Sequence, residues 1–101
     1  MKKALLVKID GGKSIIYPKL KKGFDYKELQ SFVGGCIEIV PLGKGRELVC
    51  HEEGKLIGLE KNETATKIWQ EAYPISEYPN NNDELIVGDI LIMGRNLEEL
   101  L

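Results

Sequence analysis

The chain has 101 residues, of which 43% are apolar and 30% charged, and a formal net charge of −2. That length points to a single domain, residues 1–101, with one modest core. The balance of 14 basic against 16 acidic residues argues against a protein held to nucleic acid by phosphate contacts, and against a duplex-DNA mimic with a strong negative field.

The first element is expected at Ala4 to Ile9, a strand ending in the turn Asp10-Gly11-Gly12-Lys13. Ser14 to Leu20 returns as a second strand, and Pro18 marks it as an edge strand or one that stops early, because proline lacks the ladder donor. The same region carries seven lysines, Lys2, Lys3, Lys8, Lys13, Lys19, Lys21 and Lys22. A solvated surface explains them better than an anion site does. Lys8 also breaks the leading apolar run after four residues, too soon for a signal peptide, and no run approaches membrane-spanning length.

Asp25 is placed to cap a helix, with Glu28 three residues on and Phe24 and Leu29 in the staple positions. Tyr26, Leu29, Phe32 and Val33 share its apolar face. Gly34 ends it, and Gly35 lets the chain turn into a strand over Cys36 to Leu42. Cys36, Glu38 and Val40 then point to one side, and Ile37 and Ile39 to the other. After Gly43 to Arg46, a strand over Glu47 to His51 is expected to reverse at Glu52-Glu53-Gly54-Lys55 into a further strand, Leu56 to Leu59. Asn62 caps a second helix, Glu63 to about Tyr73, whose stripe is Ala65, Ile68, Trp69 and Ala72. Pro74 to Asp83 reads as a loop. Glu84 to Gly94 reads as a last strand, and its near-continuous apolar run suits a central strand buried on both faces. Gly88 within it signals a bulge or a close approach. The leucine-rich tail from Asn96 is open to two readings, an oligomer contact or a frayed end. The expectation is an α+β fold with a mixed or antiparallel sheet and two helices, in the order ββαβββαβ.

Chemistry is sparse. His51, Glu52, Glu53 and Lys55 cluster at one turn, but carboxylates adjacent in a strand point to opposite faces and make no catalytic pair. His51 is the single histidine, and Cys36 and Cys50 have no CxxC spacing. No metal site is expected, and the cysteines read as small core residues of a reduced, cytoplasmic protein. Glu38, set in an apolar strand, belongs on a solvent face or in a pocket with a partner such as Arg46 or Arg95. The helix start at Asn62, with Thr64 and Thr66, offers amides and hydroxyls to an anionic or ribose group, although an ordinary cap explains it more simply. No cofactor motif and no nucleophile elbow occur, so no catalytic residue is assigned.

Leu29-Gln30, Val33-Gly34-Gly35, Ile37-Glu38 and Val40, then Glu52-Glu53-Gly54-Lys55, Asn62, Ala65-Thr66, and finally Asp83, Ile86, Gly88 and Ile90 together form a pattern. Over about residues 29–94 it resembles a family of small uncharacterised domains common in phages, prophages and plasmids of Gram-positive bacteria. His51 departs from the asparagine of that pattern. The resemblance implies a mobile-element protein working in the cytoplasm of a bacterial host. Small phage proteins without catalytic motifs often counter host systems by binding, some by sequestering nucleotide-derived signals between subunits.

Two functional expectations follow. The first is a non-enzymatic homo-oligomer that captures a small nucleotide-like ligand with His51, Glu52, Lys55, Asn62, Thr64, Thr66 and a cation, Arg46 or Arg95. The alternative is a protein-interaction inhibitor that covers a host protein with Tyr73, Tyr78 and the loop around Asn81. Neither involves a membrane, and nucleic acid is not the expected partner.

Overall fold

The computed structural model describes residues 2–74, 77 and 85–101. Five strands form one antiparallel sheet: β1 (Ala4–Val7), β2 (Lys13–Ile16), β3 (Ile37–Gly43), β4 (Arg46–His51) and β5 (Ile90–Gly94), in the spatial order β2-β1-β5-β4-β3. Two helices, α1 (Tyr26–Val33) and α2 (Glu63–Ala72), complete the α+β fold.

The apolar run at the end of the chain does become the central strand. Ile90, Leu91 and Ile92 are fully buried, which requires cover on both faces. Alternation along the strands sorts the core into two layers. Ala4, Val49 and Leu91 pack with Val33, Phe32 and Leu29 of α1. Leu5, Val7, Leu48, Ile90 and Ile92 pack with Ala65 and Trp69 of α2 on the opposite face. A 3₁₀ turn, Leu97–Leu100, adds Leu97 and Leu100 to that second layer, so these tail leucines cover their own subunit's core. Lys3 pairs with Glu98, and Lys13 Nζ donates to the Leu100 carbonyl at 2.7 Å, holding the turn down.

Local signals explain the helix ends. The Asp25 carboxylate accepts from the Glu28 amide at 2.8 Å, and Gly34 takes the left-handed conformation at φ 89°. The reciprocal half of the capping box is absent, because Glu28 accepts from the Lys19 amide instead, at 3.3 Å. As the proline suggested, β2 is an edge strand and stops before Pro18.

The expected strand Leu56 to Leu59 is a run of turns. The amides of Ile57, Gly58 and Leu59 bond to the carbonyls of Glu53, Lys55 and Gly54, and Leu56 is 86% exposed. The reason is tertiary. Both edges of β4 are occupied, one by β3 and the other by β5, so a returning strand has no ladder to join. Gly54 serves close packing in place of a special turn conformation: a Cβ there would lie 2.9 Å from Val87 Cγ2.

The last strand is also shorter than its apolar run. Val87 makes one isolated bridge to Lys61, Gly88 bends the chain at φ 75°, and the ladder begins at Ile90. A Cβ on Gly88 would lie 2.8 Å from Leu59 Cδ1, so the close approach expected there is to a side chain. Cys50 is buried as expected but Cys36 is exposed, since it precedes the ladder instead of lying in it.

Candidate functional site

Glu38 and Cys50 face each other across β3 and β4, both on the α2 side of the sheet. Above them lies a cleft of about 300 Å³. Trp69 of α2 and Val40 form apolar walls, as do Leu56 from the turns after β4 and Leu85, Ile86 and Val87 from the approach to β5. His51, the last ladder residue of β4, and Glu52, Glu53 and Lys55 beyond it supply the polar rim. The Glu52 amide donates to the Cys36 carbonyl at 2.8 Å, which keeps the start of the rim in register with the neighbouring strand.

The rim is built tightly around His51. Its Nδ1 accepts from the Glu53 amide at 3.0 Å, and a Cβ on Gly35 would lie 2.5 Å from its Nε2. Gly35 therefore makes room for this ring. Glu38 is exposed, and Cys50 Sγ lies 4.0 Å from its Oε1. Burial pushes the Cys50 thiol from its ordinary 9.0 up to about 11, the Glu38 carboxylate adds to the shift, and Lys55 opposes it. At pH 8 about one Cys50 in a thousand is then thiolate, too few for a working nucleophile. Brief alkylation of the native protein at pH 8 is expected to add one label per chain, at exposed Cys36, with Cys50 labelled only after denaturation. Peptide mapping by mass spectrometry checks this, and equal labelling of both thiols would show an open core. The same shift lowers stability as the pH rises from 9 toward 11, because the unfolded chain ionises first.

Of the residues expected to form a ligand site, His51, Glu52 and Lys55 do line this cleft. Asn62 and Thr66 are buried and occupied internally. Asn62 Oδ1 accepts from the Ala65 amide at 3.0 Å, and its Nδ2 donates to the Val7 and Gly88 carbonyls at 3.0 and 2.9 Å. Thr66 Oγ1 donates to the Asn62 carbonyl at 2.8 Å and accepts from the Ile86 amide at 2.9 Å. Thr64 is half-buried in the first turn of α2 and is not part of the cleft lining. Arg46 opens β4, about 17 Å by strand rise from His51 at its other end. Its guanidinium donates to the Arg95 and Asn96 carbonyls and pairs with Glu99 at 3.0 Å. Arg95 lies at that same far end, beside Gly45.

Tyr73 is half-buried where an exposed contact residue was expected. Its ring packs 5.4 Å from Trp69, and its hydroxyl donates to the Pro41 carbonyl. Tyr78 and Asn81 lie outside the described residues. Glu38, Trp69 and the Leu85–Val87 wall were not in the expected site. Nothing local signals that wall, which reaches the cleft through the bridge between Val87 and Lys61.

Among the described residues, no group of three or more His, Cys, Asp or Glu side chains is placed to hold a metal ion. No helix among them is long and apolar enough to cross a membrane. No curated protein and no solved structure matches the chain. The family model for the domain of unknown function DUF3846 covers residues 1–100, and the chain, with its two-layered core and the cleft above Glu38 and Cys50, belongs to that family.

Proposed function

We propose that the protein is a non-enzymatic accessory protein of a phage or other mobile element that binds and sequesters a small nucleotide-like ligand in the cleft beside Trp69. The observation that carries this reading is the make-up of that cleft: apolar walls on four chain segments, with hydrogen-bonding groups confined to the floor and rim. Small-ligand sites have this composition, and 300 Å³ is at the low end of their range. One base with its sugar matches that size better than a whole dinucleotide does. A larger ligand would extend beyond the rim, where a second subunit would cover it. Arg46 and Arg95, remote from their own cleft, would reach a ligand only from such a second copy. The mobile-element setting and a counter-defence role rest on the sequence resemblance.

The test is a thermal-shift panel of nucleosides, nucleotides and cyclic dinucleotides. A ligand at a hundred times its Kd stabilises the fold by about 2.7 kcal/mol, which in a domain of this size raises Tm by on the order of 10 °C or more. A panel that leaves Tm unchanged at millimolar concentration defeats the reading.

A second reading, a surface that covers a host protein, is favoured by a different observation. Leu56 and Ile57 are 86% and 57% exposed and stand together beside the cleft. If they anchor a partner, Ile57→Lys, at the one of the two that does not line the cleft, would abolish its capture while leaving nucleoside-induced shifts intact.

A further inference from the structure

The floor of the cleft presents a carboxylate, and carboxylates are selective. Glu38 is the acidic residue facing the α2 layer from β3, and its β4 partner in register is Cys50. Among the described residues its hydrogen-bond contact is the weak thiol at 4.0 Å, so both oxygens retain acceptor capacity toward the cleft. An ionised carboxylate accepts and never donates. It therefore binds best to an edge that presents two parallel N–H donors side by side, as in bidentate recognition of a guanidinium.

Among the common bases, guanine alone offers that edge, its ring N1–H beside its exocyclic amino group. Adenine and cytosine place a ring acceptor next to their amino donor, and uracil flanks its one N–H with two carbonyls. Each of these brings a lone pair against the carboxylate. The charge of the lining acts in the same direction. Glu38, Glu52 and Glu53 outnumber Lys55, so a phosphate is disfavoured inside the cleft and a neutral, donor-rich ring is not. The walls of Trp69, Leu56 and Val87 suit a flat heterocycle more than a small hydrated cation, which would leave their apolar surface uncovered.

We infer that the cleft takes the base of a guanine nucleoside or nucleotide, with Glu38 reading the N1–H and amino edge and the phosphates left outside the rim. This inference rests on the reading of the cleft as a nucleotide-like ligand site. Isothermal titration of the full chain with guanosine, adenosine, cytidine, uridine, guanosine monophosphate and arginine amide tests it, alongside the Glu38→Gln variant. Glu38 is exposed, so the substitution is compatible with folding, and an unchanged Tm verifies that.

The expected result is that guanosine binds at least tenfold more tightly than the other three nucleosides, and that guanosine monophosphate binds no more tightly than guanosine. Glu38→Gln, which replaces one acceptor oxygen by a donor, removes the preference. Nucleosides that bind without a guanine preference, or a preference that survives Glu38→Gln, overturn the inference and leave the proposed ligand class standing. Binding of no nucleoside or nucleotide overturns both. Binding of arginine amide in place of guanosine also overturns the inference and assigns the carboxylate to a cationic partner.

Discussion

Replacing Gly94 by alanine is expected to destabilise the protein by about 3–5 kcal/mol, a large share of the 5–15 kcal/mol typical of a small domain. Gly94 ends the central strand in register with Arg46. A Cβ there would lie 2.0 Å from the Gly45 carbonyl oxygen and 2.8 Å from Arg46 Cα, and φ is 128°. The obstructing atoms are backbone, so no side-chain rotation relieves the clash. β4 would have to separate from β5, weakening the strand pair that buries Leu48, Val49, Leu91 and Ile92. Gly34→Ala is the control. Gly34 also has a left-handed φ, 89°, but nothing lies within 4 Å of its missing Cβ. Only the conformational cost of about 1–2 kcal/mol applies to it. Urea unfolding of both variants measures the difference. A Gly94→Ala protein within about 1 kcal/mol of the parent would mean that the two strands do not approach this closely.

The second large effect is expected at Asn62. Its side chain is fully buried and joins three elements, capping α2 through Oδ1 while Nδ2 bridges the end of β1 at Val7 to the bend at Gly88. Asn62→Ala removes the cap and leaves two carbonyls and an amide without their partner. A lost cap costs about 1 kcal/mol and each unsatisfied buried group about 1–3 kcal/mol, so a total of about 3–5 kcal/mol is expected after partial relaxation. Asn62→Ser keeps a cap acceptor but loses both Nδ2 donations, and should lose about two-thirds as much. Asn62→Asp keeps the cap but sets a carboxylate against two carbonyl oxygens. It should be the least stable of the three at neutral pH and recover as the pH falls, since the folded state then holds the proton more tightly than the unfolded one. Chemical denaturation at pH 7 and pH 4 orders the variants. A serine variant as stable as the parent would show that the Nδ2 bridge contributes nothing.

The contrast between Asn62 and His51 shows how far a motif reading carries. One caps the second helix and the other ends β4, and both looked able to offer polar groups to a ligand. Asn62 is consumed by the fold, because its amide oxygen accepts from the first turn of the helix it caps and its amide nitrogen donates to backbone at Val7 and Gly88. His51 is one residue of the rim, held by the Glu53 amide and housed by the absent side chain of Gly35. Sequence spacing alone does not separate the two cases, since a capping asparagine and a ligand-binding asparagine look alike until the facing backbone is known.

Hairpin logic failed at Leu56 to Leu59 for a comparable reason. A charged turn with a glycine, followed by three apolar residues, carries every local sign of a returning strand. What cancels it is β5, some thirty residues on, which occupies the free edge of β4. The displaced segment then coils into turns, exposes Leu56 and Ile57, and so forms one wall of the cleft.

The sequence by itself determined the α+β class, both helices with their Asp25 and Asn62 caps, the edge position of β2, and the burial of the last strand on both faces. These follow from interactions within a few residues: a cap bonds three positions on, a proline lacks its own donor, and an unbroken apolar run needs cover on two sides. Only the tertiary structure decided the strand order, the loss of the strand after β4, the separation of Arg46 and Arg95 from the hairpin tip, and the joining of Glu38, Trp69 and Val87 around one cleft. Those outcomes depend on which strand edge is already taken and on which face each helix covers, and pairings so distant in sequence are settled by the packing of the whole sheet.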